Sequence, residues 1–91
     1  MTFIELLKVN TTVTGVNLDF NNLRAEGASA LADALQINST VLRIRLQDNS
    51  IRDEGARTLA ESFKVNTSVT SIDLSYNSIG AEGARFLADA L

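Results

Sequence analysis

Valine stands at positions 13, 41 and 69, and sliding the chain along itself by that interval of 28 residues brings almost every structural position into register. A fixed period of this length means copies of one small supersecondary unit, each too small to close a core alone, so that neighbours must stack. Residues 13–40 and 41–68 form full units, 69–91 a shorter third, and 1–12 match the back end of a unit. The 91 residues are therefore read as one domain, 1–91.

Each unit changes its periodicity halfway. Val16 and Leu18, Ile44 and Leu46, and Ile72 and Leu74 alternate with polar neighbours, the period of a strand with one face buried. Further on, Ala28, Leu31, Ala32 and Leu35 fall at helical spacing, as do Ala56, Leu59, Ala60 and Phe63, and Ala84, Leu87, Ala88 and Leu91. Acids at the starts of these segments (Glu26, Asp53, Glu54, Glu82) and Lys64 at one end suit the helix dipole. The pattern predicts strands near 15–19, 43–47 and 71–75 and helices near 26–36, 54–64 and 82–90. Phe3, Leu6, Leu7 and Val9 align with Leu31, Ala34, Leu35 and Ile37, which predicts a helix over 2–9 as a partial cap.

Between strand and helix, Asn21, Asn49 and Asn77 stand where the backbone turns away from its strand partners, and a ladder of side-chain amides would satisfy it. Leu23, Ile51 and Ile79 anchor the connection, and Gly27, Gly55 and Gly83 let each helix lie close to its neighbours. The spacing at Val13/Val16/Leu18/Asn21, Val41/Ile44/Leu46/Asn49 and Val69/Ile72/Leu74/Asn77 resembles the leucine-rich repeat. Unit length and the block from Asn49 to Ala60 look like its ribonuclease-inhibitor-like subclass, also seen in NOD-like receptors. The resemblance implies an α/β fold, a right-handed solenoid with a short parallel sheet on one face and helices on the other.

Several chemistries are set aside by residue type. Cysteine and histidine are absent, which removes disulfides, thiolates, imidazole bases and the usual zinc sets and points to a cytoplasmic protein. Eight basic against eleven acidic residues leave a net charge of −3, a poor match to nucleic acid or anionic lipid. No stretch reaches the roughly 18 apolar residues of a membrane span, and the opening residues lack a signal peptide's basic region. Asn10, Asn38 and Asn66 each begin an Asn-x-Ser/Thr triplet, but recurrence at the period favours a structural role, read as left-handed caps after the helices. The Glu-Gly blocks at the helix starts place carboxylates in a column without a nucleophile or base beside them, so catalysis and cofactors are not expected. Lys8, Gln36 and Lys64 read as a solvated rim.

Function then rests on positions that differ between units. Gly15, Asn17 and Asp19, with Arg43, Arg45, Gln47 and Ser71, Asp73, Ser75, point outward from the strands, and Phe20, Asp48 and Tyr76 follow at their exit. Arginine and aromatic side chains are enriched at protein interfaces, so Phe20, Arg43, Arg45, Asp48, Asp73 and Tyr76 form the candidate protein-binding surface. A plainer reading has Arg45 pairing with Asp73 and Asn17 across the sheet. The function expected is a protein-protein interaction module; the alternative is a structural or self-associating fragment of a longer array. The third unit carries no polar cap, leaving Leu74, Phe86, Leu87 and Leu91 to pair two copies through their C-terminal ends as a homodimer.

Overall fold

The computed structural model describes residues 2–91. Helices and strands alternate as α1 (Phe3–Leu6), β1 (Gly15–Asn17), α2 (Arg24–Leu35), β2 (Arg43–Arg45), α3 (Arg52–Phe63), β3 (Ser71–Asp73) and α4 (Ala81–Ala90). The strands pair in parallel in chain order, in the rows Gly15/Arg43/Ser71, Val16/Ile44/Ile72 and Asn17/Arg45/Asp73. Register thus equals the sequence period. Val16, Ile44 and Leu46 turn inward from the sheet side and meet Ala28, Leu31, Leu35, Leu59 and Phe63 of the helices.

The regular strands stop two residues short of the expected span. Pairing nonetheless goes on: Leu18 N–H donates to Arg45 O at 2.8 Å and Phe20 N–H to Gln47 O at 2.9 Å, repeated by Leu46 on Asp73 O and Asp48 on Ser75 O. The chain then leaves the sheet at Phe20, Asp48 and Tyr76, where φ is 60°, 57° and 58°. Asn22, Ser50 and Ser78 repeat the left-handed conformation two residues on. Helices α2 and α3 begin at Arg24 and Arg52, ahead of the acids that marked their expected starts, and both arginines have φ of 60°. Each gives its N–H to the carbonyl of the next unit's asparagine, Arg24 to Asn49 O and Arg52 to Asn77 O at 2.8 Å. Gly80 occupies the same place in the third unit with φ of −94°, and its N–H turns back to Asp53 Oδ1 of α3 at 2.7 Å.

Helix α1 is shorter than the expected 2–9, but single turns carry on from it to Asn10. Thr2 and Glu5 form a reciprocal capping box, which gives this short segment its start. Of its apolar residues Leu7 is buried, while Phe3, Leu6 and Val9 remain substantially exposed.

Two asparagine ladders run through the array. In the first, Asn49 Oδ1 accepts from Asn21 and Leu23 N–H at 2.9 and 3.2 Å, and Asn77 Oδ1 accepts from Asn49 and Ile51 N–H at 2.8 and 3.3 Å. Their amide nitrogens donate to Leu18 O and Leu46 O of the unit before. The second ladder corrects a sequence expectation. Asn10, Asn38 and Asn66 are absent from the left-handed residues; Asn38 and Asn66 are buried instead. Asn38 donates to Leu7 O and Asn10 O, Asn66 donates to Leu35 O and Asn38 O, and each accepts from the N–H groups two and three residues onward. A glycan on Asn38 or Asn66 would have to replace these bonds.

The helix glycines make room for their own unit as much as for the neighbour. A Cβ on Gly55 would lie 2.5 Å from Ile51 Cγ2 and 3.1 Å from Ala28 Cβ of the preceding helix. Gly27 would meet Leu23 in the same way, and Gly83 both Ile79 and Asp53.

Candidate functional site

The outward row Asn17/Arg45/Asp73 does not pair as directly opposed residues. Arg45 reaches diagonally to Asp19, with Nη2 2.9 Å from Oδ2, and this is the one ion pair among the described residues. The Asp19 side chain is only 9% exposed, and its other oxygen accepts from Gln47 N–H at 2.8 Å. Asn17 spends its carbonyl on Asp19 N–H, and Asp73 Oδ1 accepts both the N–H and the hydroxyl of Ser75, at 2.9 and 2.6 Å. Those two bonds to Ser75 are the main reason the Asp73 carboxyl titrates below its ordinary 3.8, with Arg45 adding a smaller Coulombic pull. The cross-strand partners expected for Arg45 are thus held elsewhere. Asp19 lies one row further along, a diagonal partner that strand register alone does not mark.

Arg43 lies one row earlier, in a shallow concavity lined by Gly15, Asn17, Arg43, Arg45, Ser71 and Asp73. Its guanidinium passes over Gly15, where a Cβ would sit 3.4 Å from Nη2. At the strand exit, Phe20, Asp48 and Tyr76 form an exposed row, the two rings 67% and 77% accessible. The left-handed backbone at these residues accompanies that outward placement. Of the six candidate residues, Arg43, Arg45 and Asp73 line the concavity over the strands, and Phe20, Asp48 and Tyr76 stand exposed at the strand exits.

The proposed self-association residues divide. Leu74 and Leu87 are partly buried against the core, whereas their counterparts one unit earlier, Leu46 and Leu59, are fully covered. Leu91 is 79% exposed, against 8% for Phe63 at the equivalent position. Phe86 departs from the expectation of an outward position adding to that flank. It is half-buried and shares a depression with Asp53, Glu54 and Arg57 of α3, so it faces the preceding helix.

A family model described as "Leucine Rich repeat" matches residues 9–32, 38–60 and 65–88. The chain belongs to the leucine-rich-repeat family. No curated protein sequence matches it. Among solved structures it is similar to "Leiomodin-1 Actin-Binding Site 2 (ABS2)", with a TM-score of 0.86 and 26% identity over 96% of this chain and 51% of that one. The chain thus spans about half the length of that structure.

Proposed function

We propose that the chain is a protein-protein interaction module of the ribonuclease-inhibitor-like subclass, binding rather than catalysing, with the strand face as its contact surface. The observation that carries this is the pair of exposed rings, Phe20 and Tyr76, at the exits of the sheet whose strands present Arg43 and Arg45. Large rings held outside the core have no packing role in the unit, while rigid aromatic and arginine side chains are the usual anchors of interfaces. The similarity to an actin-binding fragment makes actin the first named partner to test. Site-specific photo-crosslinking at position 76 and, separately, at Arg85 on α4 tests the surface. Adducts from position 76, with or without actin as the captured protein, support the proposal; adducts confined to position 85 refute it.

A second reading has a specific observation in its favour. Leu91 and the partly covered Leu74 and Leu87 form the flank that, one unit earlier, the next unit covers. A homodimer pairing these ends would bury it. Sedimentation equilibrium at tens of micromolar should then give twice the chain mass, reduced by Leu91→Asp. A monomer throughout that range eliminates the dimer.

A further inference from the structure

The charges on the strand face do not cancel in place. Asp19 is taken by Arg45 and by Gln47 N–H, and Asp73 is turned to Ser75. Every acid of the face, apart from Asp48 at the exit, is therefore engaged by its own or the adjacent strand. Arg43 has no carboxylate within ion-pair distance among the described residues, and it stands between Gly15, which has no side chain, and Ser71, whose hydroxyl makes no hydrogen bond there. A guanidinium presents paired N–H donors that match a carboxylate in shape and charge. The guanidinium lies over Gly15, whose missing Cβ makes room for it, and the shallow concavity leaves its outer edge open.

Resting on the reading of this face as an interaction surface, we infer that Arg43 is the docking point for a carboxylate of the partner. Phe20 and Tyr76 stand at the strand exits, five residues on from the row of Gly15, Arg43 and Ser71, where the chain turns out of the sheet. The ligand chemistry that fits both features is a flexible polypeptide segment bearing an Asp or Glu side chain and, a few residues away, an apolar side chain. The carboxylate meets Arg43 while the apolar group lies beside the rings.

The test titrates two synthetic peptides, acetyl-Ser-Asp-Ser-Gly-Ser-Thr-Leu-Ser-amide and the same peptide with Asn for Asp, into the isotopically labelled chain. Chemical shifts of the arginine Nε–H groups and of the Ser71 and Tyr76 amides are followed. The inference expects saturable shifts at Arg43 and Ser71 with the acidic peptide, at least tenfold weaker binding of the Asn peptide, and equal weak binding of both by Arg43→Gln. Raising salt from 50 to 500 mM should weaken the acidic peptide and leave the other unchanged. Equal affinity of the two peptides, with shifts at Tyr76 only, overturns the carboxylate site while leaving the interaction face standing. Shifts confined to the helices, or none, overturn both.

Discussion

Replacing Asn49 by alanine should cost the protein about 3 kcal/mol, whereas the same change at Asn21 should cost less than about 1, although the two residues occupy the same position in their units. Asn49 is fully buried and accepts from the N–H groups of Asn21 and Leu23. Alanine removes both bonds, each part-buried and worth about 0.5–1.5 kcal/mol, and leaves a void where the fully buried amide stood. The carbonyls on the donor side suffer less: Leu18 O keeps the Asn21 amide at 2.8 Å, and Gln47 O keeps Phe20 N–H at 2.9 Å. The two lost acceptor bonds and the void thus account for most of the cost. Asn21 is exposed, and its amide bonds only Leu18 O and Asp19 O of its own unit, the first of which Asn49 also serves. For a domain of this size, 3 kcal/mol is a large share of a total near 5–14 kcal/mol and corresponds to a fall in Tm of roughly 12–24 °C. Urea denaturation followed by circular dichroism, with linear extrapolation, measures both variants on one scale. Asn49→Asp keeps the acceptor but buries a charge without a cation, and should be no better than alanine. Equal losses at positions 21 and 49 would refute the reasoning, because they would mean that the ladder's hydrogen bonds within a unit, and not those between units, carry the stability.

Three further outcomes follow from the same geometry. Gly55→Ala should lose about 1–2 kcal/mol in thermal melts, the overpacking against Ile51 and Ala28 exceeding the helix-propensity gain, while Gly15→Ala should stay within about 0.5 kcal/mol because its Cβ meets only the end of a flexible arginine. The Asp73 carboxyl should titrate by NMR below its ordinary 3.8, and Ser75→Ala should raise it further than Arg45→Ala does. Since the folded value is the depressed one, the stability Asp73 confers is complete above the ordinary value and is lost as pH falls through the folded one. Asp53→Ala should abolish hydrogen-exchange protection at Gly80 and loosen the start of α4, leaving Arg24 and Arg52 protected by their bonds to Asn49 and Asn77.

The period made the alternation of strand and helix, the rows of the sheet and the first asparagine ladder readable before any coordinates, because each depends on a residue type recurring every 28 positions. What escaped the reading depends on bonds between units or on backbone angles. Alternation runs on through Leu18 and Leu46 past the point where the backbone turns, so the strands looked longer than they are. The left-handed positions hold Phe, Asp, Tyr, Asn, Ser and Arg, types that share no conformational preference strong enough to mark them. Asn38 and Asn66 were assigned the cap that an asparagine after a helix often forms, yet the neighbouring unit's carbonyls draw them inward. On the strand face the residue types were legible but their pairing was not: Ser75 competes for Asp73, and this sends Arg45 to Asp19.

Both ladders also have a direction. Asn49 and Asn77 serve the backbone of the unit before them, and the amide nitrogens of Asn38 and Asn66 do the same, so between units these side chains reach from later residues to earlier ones. The earliest loop, at Asn21 and Leu23, is fully attended; the N–H groups of Asn77 and Ile79 have no partner among the described residues. Parting two neighbouring units therefore strips the earlier one's backbone N–H groups of their acceptors, and the slowest-exchanging amides gather in the middle unit, where Val41, Ile44, Leu46 and Ile51 are fully covered.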